Sequence, residues 1–204
     1  KENLTQKNMI ADIRSDEKRF INQIKIKQKQ AQEIDKQIEK IIAEATARAK
    51  NKNLSEFNLT AEAKLISKKF NENKGKLPWP VEKGMIILRY GRQPHPIVKT
   101  TTIQSNGVRI LTSKNQEVRS IFDGKVHSII VSKNGSHAIL IQHGIFFSVY
   151  KNLTEIYVKK GEIIETKQAI GKLNTNKSTG QTILNFSIFK DGLTQNPSAW
   201  IYKM

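Results

Sequence analysis

The sequence predicts an α+β protein with several parts: a long N-terminal coiled-coil helix, a connector helix, and a C-terminal all-β domain of antiparallel strands. Three observations predict this organisation. Apolar residues recur at steps of three and four between Ile10 and Arg48. A Pro-Trp-Pro run then interrupts the chain at Pro78. Beyond it the sequence alternates in short apolar stretches separated by Gly-containing turns, which is typical of strands.

The N-terminal pattern is a heptad repeat of the coiled-coil type. Neither Pro nor Gly lies within it, and only Glu17 and Lys27 break the apolar stripe before Arg48. The pattern predicts one helix of roughly 55–60 Å at 1.5 Å per residue, whose apolar seam needs a partner helix to cover it. That partner is another copy, a helix outside this chain, or another protein. The seam residues are Ile10, Ile13, Phe20, Ile24, Ala31, Ile34, Ile38, Ile41 and Ala45.

A connector follows this helix. The chain breaks near Asn51, and Thr60 is the predicted N-cap of a second, shorter helix that ends by Gly75. The residues Leu65, Ile66 and Phe70 give this helix an apolar face. The prolines of the Pro-Trp-Pro run cannot continue a helix, so the domain boundary lies there. The predicted domains are the coiled-coil arm 1–52, the connector 53–76 and the β domain 77–204.

The β domain is predicted from seven segments that read as strands. Asp-Gly and Asn-Gly dipeptides of the hairpin type separate several of them, and no helical period is present. In the last segment, Leu184, Phe186 and Ile188 point to one face and Asn185 and Ser187 to the other, so the second face is expected to border a cleft. The segments are MIILRYG, GVRILTS, VRSIFDGKVHSIIVS, HAILIQHG, FFSVYKNL, AIGKL and TILNFSIF.

Composition excludes several classes of protein. The 204 residues carry a net charge of +17, but the lysines are scattered and no zinc-finger or RNA-recognition pattern is present, so nucleic-acid binding is not expected. The absence of Cys excludes disulfides and Cys-ligated metals. No apolar run is long enough to span a membrane. The chain begins with Lys1 rather than Met, so we expect a signal segment to be missing from it.

The order of the β segments resembles the LytM or lysostaphin-type zinc endopeptidases, which cut peptidoglycan cross-links. The resemblance runs from Leu77 to Trp200. It rests on the segments RYGRQPHP, SNGVRI, VRSIFDGKVHSI, ILIQHGIFFSVYKNL, VKKGEIIETKQAIGKL, STGQTILNFSIF and NPSAWI. It implies that the C-terminal domain has the LytM fold.

The five positions that carry the family's chemistry are all changed in this chain. The resemblance implies zinc ligands in an H-x-x-x-D segment and at the second His of an H-x-H segment, where this chain has Ser105, Arg109 and Asn185. It implies catalytic histidines in a Y-x-H-L segment and at the first His of H-x-H, where this chain has Asn152 and Ile183. Because Ser and Asn are poor ligands and Arg is a permanent cation, we expect no metal, no cofactor and no peptidase activity.

The remaining histidines do not rebuild a zinc site in the sequence. None of them is spaced at i, i+2 or i, i+4 from another, as ligands on one strand or one helix face would be. No Ser-His-Asp, Cys-His or Gly-rich phosphate-binding pattern is visible either. The four histidines are His95, His127, His137 and His143.

A coiled coil joined through a connector to a degenerate LytM-like domain resembles the EnvC family of murein hydrolase activators. The resemblance implies a periplasmic, non-catalytic protein of cell division that binds an N-acetylmuramyl-L-alanine amidase and frees that enzyme's own zinc site. It also implies that the coiled coil docks on the FtsEX division complex, and that a helix beside the domain covers the groove until it is moved. In this chain the segment from Thr60 to Asn73 is the candidate cover.

The residues expected to hold the partner follow from these positions. A cationic, hydrogen-bonding groove with aromatic edges suits an amphipathic helix that carries Asp or Glu. The predicted groove residues are Arg109, Asn152, Asn185, Tyr90, Arg92 and Tyr150.

Three other functions compete with this hypothesis. A wall-binding module would use the basic groove for peptidoglycan itself, although such a module has no need of a long arm. An active endopeptidase would need an unusual metal site. A scaffold that links a division complex to other envelope proteins would look the same in sequence.

Overall fold

The computed structural model describes residues 26, 29, 32–47, 61–94, 102–132 and 135–204. The chain forms two compact units, Lys1–Glu44 and Ala45–Met204. Most of the first unit, including the predicted seam before residue 26, lies outside the described residues.

The described N-terminal helix, α1, covers residues 32–47, and residues 26 and 29 are also helical. Its buried residues are Ile38 and Ile42, which are 2% and 0% exposed. Ile38 belongs to the predicted seam and Ile42 does not, but residues i and i+4 lie on the same face of a helix. The coiled coil itself remains a prediction.

The helix α2 (Ala61–Glu72) is the predicted connector helix. Phe70 is its fully buried residue, whereas Leu65, which we expected on the apolar face, is 50% exposed. At its end, the side-chain and backbone nitrogens of Asn73 donate to the carbonyl of Lys69. Gly75 then takes a left-handed φ of 78°, which ends the helix. The predicted N-cap, Thr60, lies outside the described residues.

Twelve strands are present in the described residues, and they include all seven predicted segments. The segment VRSIFDGKVHSIIVS contains two strands, β5 and β6, and the structure adds β2, β3, β9 and β12. The strands are β1 (Met85–Leu88), β2 (Gly91–Pro94), β3 (Thr102–Ser105), β4 (Val108–Thr112), β5 (Glu117–Arg119), β6 (Gly124–Val131), β7 (His137–His143), β8 (Phe146–Ile156), β9 (Ile163–Ile164), β10 (Ala169–Leu173), β11 (Thr182–Lys190) and β12 (Leu193–Gln195).

Ten of these strands form one sheet in the order β1-β4-β11-β8-β7-β6-β9, with β12 paired to β11 and β10 paired to β5 and β8. The strands β2 and β3 form a separate pair. Every strand pairing in the described part of the chain is antiparallel. The predicted all-β antiparallel domain is confirmed.

One face of the sheet carries the main core. Phe186 on β11 lies opposite Val108 on β4 and Tyr150 on β8, and all three are fully buried. Leu184 and Ile188 are on the same face of β11 and are also fully buried, as the alternation predicted. The sheet therefore has a sealed face, and any accessible site on its central strands must lie on the other one.

The helix α2 packs on this sealed face. The ring of Phe70 stacks on Phe146 with 4.5 Å between centroids, and it also contacts Phe122, His143 and Trp200. Ser67 on α2 accepts a hydrogen bond from the backbone N–H of Ile145 at 3.0 Å. The hypothesis that the segment from Thr60 to Asn73 covers the groove is therefore wrong for the described residues 61–73, because Phe70 fixes the helix to the opposite face of the sheet.

Candidate functional site

Three polar side chains form a line across the centre of the second face. Asn185 on β11 is the register partner of Arg109 on β4 and of Lys151 on β8. Directly opposed residues of antiparallel strands share a face, and neighbouring strands are about 5 Å apart. All three residues are half-buried. We call this line the cationic row. Sequence reasoning found Arg109 and Asn185 but missed Lys151, whose place follows from the β8–β11 register.

A second line on the same face is apolar. Ile183 on β11 is the partner of Leu111 on β4, and Leu111 is the partner of Met85 on β1. Met85 is 60% exposed, and the other two are half-buried. This apolar row lies two residues along each strand from the cationic row, which is about 7 Å. The two rows together, called the two-row surface below, present charge beside apolar area.

Ser105 is the last residue of β3, three residues before β4 begins. The chain between the two strands approaches β11 closely. The hydroxyl of Ser105 donates to the carbonyl of Gly107 at 2.8 Å. A Cβ on Gly107 would lie 2.2 Å from the carbonyl oxygen of Phe186, so only Gly fits at this position. Ser105 therefore serves the turn that brings Arg109 into register with Asn185.

Asn152 is held by hydrogen bonds within the domain. Its backbone has a left-handed φ of 77°, which Asn tolerates better than most residues. Its side-chain nitrogen donates to the carbonyl of Ile183 at 2.7 Å, and its own carbonyl accepts from the N–H of Asn174 at 2.9 Å. The structure thus gives Asn152 a positioning role at the end of the apolar row.

Tyr150 was expected at the edge of the groove, and this expectation is wrong. The side chain is fully buried on the sealed face, beside Phe186. Its hydroxyl oxygen accepts a hydrogen bond from the N–H of Ile121 at 3.0 Å. Burial raises the pKa of Tyr150 to about 12, and hydrogen bonds from its surroundings oppose that rise only in part. The buried hydroxyl is satisfied by a backbone donor that no local sequence pattern reveals.

The other two predicted groove residues lie near the start of β2: Tyr90 precedes the strand and Arg92 is its second residue. Tyr90 is half-buried, and its hydroxyl contacts the hydroxyl and carbonyl oxygens of Thr194 at 3.0 and 3.3 Å. Thr194 is the register partner of Phe189 on β11, so Tyr90 lies toward the far end of that strand from Ile183. Arg92 on β2 is exposed. Neither residue is in the two-row surface.

A Ser–His pair does exist in the described residues, although the sequence did not show it. The Nε2 atom of His143 lies 2.7 Å from the hydroxyl of Ser148, and its Nδ1 lies 2.7 Å from the backbone carbonyl of Asp123. Both side chains are fully buried. The carbonyl requires a proton on Nδ1, so Nε2 accepts from Ser148. Because no substrate can reach a buried hydroxyl, this pair is part of the core.

The three positions that the resemblance to LytM-type endopeptidases predicts as zinc-ligand positions carry side chains that do not suit that metal. A hydroxyl, a guanidinium and a carboxamide occupy Ser105, Arg109 and Asn185, and a zinc site needs imidazole, thiolate or carboxylate ligands. Among the described residues, no group of three or more His, Asp or Glu side chains could hold a metal ion. Of the histidines, His137 approaches the carbonyl of Leu153 and His127 packs edge-on against Phe147, whereas His95 lies outside the described residues.

Residues 104–197, which include β4, β11 and both rows except Met85, match the family model described as Peptidase family M23. The β domain therefore contains a peptidase family M23 domain. This assignment agrees with the resemblance to LytM-type endopeptidases.

Among curated proteins, the chain is similar to the murein hydrolase activator EnvC of Escherichia coli, at 26% identity over 129 residues. The match covers 63% of this chain and 29% of that protein. The chain thus spans less than a third of the length of the curated relative that it matches.

Three solved structures have a similar fold. Csd3 of Helicobacter pylori matches at 25% identity with a TM-score of 0.52, over 63% of this chain and 35% of that one. A zinc-containing peptidase from Vibrio cholerae matches at 25% identity with a TM-score of 0.50, over 61% of this chain and 40% of that one. SpoIIQ in its complex with SpoIIIAH matches at 20% identity with a TM-score of 0.51, over 64% and 93%, and shares the fold alone.

Proposed function

We propose that this chain is a non-catalytic activator of peptidoglycan amidases in cell division and daughter-cell separation. Its M23 domain binds an N-acetylmuramyl-L-alanine amidase through the two-row surface. The observation that carries the proposal is the register pair of Arg109 and Asn185. The resemblance to LytM-type endopeptidases predicts two zinc ligands at these positions. Similarity to a protein named murein hydrolase activator supports the same conclusion.

Electrostatics argue against hydrolysis by this domain. A cation at Arg109 beside a divalent metal costs about 4 kcal/mol for each unit of metal charge, at a separation of 4 Å and an effective dielectric constant of 20. Arg stays protonated at any relevant pH, so the cost cannot be removed by titration. Without a metal, nothing at this surface would activate water. The domain is therefore proposed to bind and not to cut.

The two-row surface suits an amphipathic helix of the amidase. Residues one turn apart on a helix face are about 5–6 Å apart, close to the spacing of strands in a sheet. A helix laid across β4, β11 and β8 can place carboxylates near Arg109 and Lys151. Its neighbouring apolar stripe then covers Met85 and Ile183. Arg and carboxylate form charge-assisted, bidentate hydrogen bonds, which gives such a contact specificity.

The rest of the proposal concerns place and control. The protein is proposed to act in the periplasm, and its N-terminal coiled coil is proposed to dock on an FtsEX-type division complex. The described helix 32–47 and its buried Ile38 and Ile42 support an N-terminal helical arm. No helix in the described residues is long and apolar enough to cross a membrane.

A dye-release assay on labelled peptidoglycan tests the proposal. The full chain alone, an amidase of the same bacterium alone, and the two together are compared. Release that requires both proteins is expected. Release by the chain alone would identify a peptidase and overturn the proposal. Co-sedimentation of the chain with peptidoglycan, without any activation, would instead favour a wall-binding module.

Charge reversal identifies the surface involved. Arg109→Glu is expected to abolish activation because it repels the carboxylates of the partner. Lys125→Glu is the matched control, since Lys125 is exposed on β6 and three strands separate β6 from β4. Equal circular dichroism spectra and unfolding midpoints for both variants would show that the fold is intact. Normal activation by Arg109→Glu would exclude the cationic row from the interface.

A further inference from the structure

A second surface forms where the end of α2 meets the last described residues. The N–H of Leu77 donates to the carbonyl of Trp200 at 3.2 Å, and the N–H of Tyr202 donates to the carbonyl of Leu77 at 2.9 Å. Leu77 and Ile201 form a parallel bridge. The segments 73–81 and 196–204 are thus held side by side by backbone hydrogen bonds.

Three lysines lie on these two segments. The ammonium of Lys74 lies 5.2 Å from the ring centroid of Trp200, and that of Lys203 lies 5.1 Å from the ring of Tyr202. Lys76, two residues after Lys74, is exposed. Neither segment contains Asp or Glu. The acidic residues that flank the segment 73–81 are Glu72, which lies 3.9 Å from Lys68 on α2, and the exposed Glu82. The two segments therefore carry three lysines and no acidic side chain of their own.

Amphipathic aromatic residues border these lysines. Tyr202 is 53% exposed, and the indole N–H of Trp79 donates to the carbonyl of Tyr202 at 2.9 Å. Trp79 is half-buried. Trp and Tyr prefer the boundary between lipid headgroups and acyl chains, where one part of the ring is apolar and the other is wet. We define the junction surface as Lys74, Lys76, Trp79, Tyr202 and Lys203.

We propose that the junction surface binds a membrane rich in anionic phospholipid. Each lysine near an anionic leaflet raises the affinity of a protein for the membrane about fivefold. Partly exposed Trp and Tyr side chains add contacts at the interface. The surface is separate from the two-row surface. Trp200, which lies under Lys74, packs on Phe146. Phe146 pairs with Lys190 on β11, and Lys190 is five residues along that strand from Asn185 of the cationic row. Membrane docking would hold the domain near the lipid while the two-row surface stays available to its partner.

Vesicle co-sedimentation tests the proposal with the full chain. The vesicles contain either phosphatidylcholine alone or phosphatidylcholine with phosphatidylglycerol. Binding is expected only to the second kind, and it should weaken as salt is raised because the attraction is screened. The double variant Lys74→Glu and Lys203→Glu should lose at least 25-fold in partition coefficient, from about fivefold for each lysine removed.

The matched control is the double variant Lys114→Glu and Lys177→Glu, which changes the net charge equally. Lys114 follows β4 and Lys177 precedes β11 at the end where Thr112 pairs with Thr182, far along β11 from Lys190. This control should bind vesicles within threefold of the unchanged chain. Equal losses in both double variants would mean that net charge alone drives binding, and this result would overturn the proposal.

Two further outcomes decide between partners. Tyr202→Ser should weaken vesicle binding severalfold, and the backbone hydrogen bond from the N–H of residue 202 to the carbonyl of Leu77 would remain. An unchanged affinity in that variant would overturn the interfacial role of the aromatic residues. If the Lys74→Glu and Lys203→Glu variant keeps vesicle binding but loses binding to purified peptidoglycan, the surface belongs to the wall polymer and the membrane proposal fails.

Discussion

Arg109 and Asn185 are direct register partners across β4 and β11, on the face of the sheet that does not carry the main core. The sequence resemblance to LytM-type endopeptidases predicts an anionic and an imidazole zinc ligand at these two positions, where this chain has a permanent cation and a carboxamide. Under that prediction the difference lies in the side chains, and Gly107 allows the close approach of the chain before β4 to β11. The change is therefore chemical and local, and it can be tested by reversing it.

The first prediction is that zinc binding can be restored. A triple variant, Ser105→His with Arg109→Asp and Asn185→His, replaces the guanidinium with a carboxylate and supplies two imidazoles. We expect about one zinc per chain in the triple variant and none in the unchanged protein, measured by elemental analysis after dialysis. The double variant that keeps Arg109 is the control, and it should bind far less zinc because the positive charge remains. Stoichiometric zinc in the unchanged protein would contradict the whole assignment.

The second prediction concerns the apolar row. Met85→Ser should lower the potency of amidase activation by roughly three- to tenfold, because an apolar contact of this size contributes about 1 kcal/mol on burial. Met85 is 60% exposed in the free chain, so the free energy of unfolding should change by less than about 0.5 kcal/mol. Ile163→Ser is the control. Ile163 is 74% exposed on β9, at the other edge of the sheet, and its replacement should leave activation unchanged.

The sequence predicted the two faces of β11 well, and the reason is local. Alternation assigns Leu184, Phe186 and Ile188 to one side whatever their neighbours are. The structure buries all three completely. On the other face, Asn185 is half-buried as a cleft residue would be, whereas Ser187 and Phe189 are 5% and 3% exposed. The cleft thus covers only part of the face that was predicted.

The residues that sequence reasoning missed or misplaced depend on contacts between distant segments. Lys151 joins the cationic row only through the register of β8 with β11. Tyr150 was predicted at the edge of the groove, but its hydroxyl lies inside the core and accepts a hydrogen bond from the N–H of Ile121, 29 residues away. Alternation within one strand carries no information about which strand lies beside it, so neither arrangement could be derived from the sequence.

The third prediction tests how firmly α2 is attached. Phe70→Ala should lower the free energy of unfolding by about 3–5 kcal/mol, the usual cost of removing a buried Phe side chain. The ring contacts Phe146, Trp200 and two other rings, so a cavity would remain between α2 and the sheet. Leu65→Ala on the same helix is the control, because Leu65 is 50% exposed. Denaturant unfolding of both variants provides the comparison, and similar losses would contradict the docking of α2 through Phe70.

The fourth prediction is a dependence of stability on pH that arises from His143. Burial lowers the pKa of His143 from 6.5 to about 4, and a hydrogen bond to the Asp123 carbonyl and the nearby Asp123 charge oppose this only in part. The unfolded chain therefore binds a proton at a higher pH than the folded chain does. Stability from the neutral imidazole is complete above pH 6.5 and is lost as pH falls from 6.5 toward 4.

The size of this effect follows from the two pKa values. Between pH 7.5 and pH 5.0 the folded protein should lose about 2 kcal/mol of unfolding free energy through His143 alone. The variant His143→Gln is expected to be less stable at pH 7.5. Because a Gln side chain does not bind a proton in this range, the unfolding free energy of the variant should fall less between pH 7.5 and pH 5.0. Urea unfolding at the two pH values measures both proteins. Parallel losses in the two would mean that other groups cause the dependence, and that His143 is not held neutral by burial.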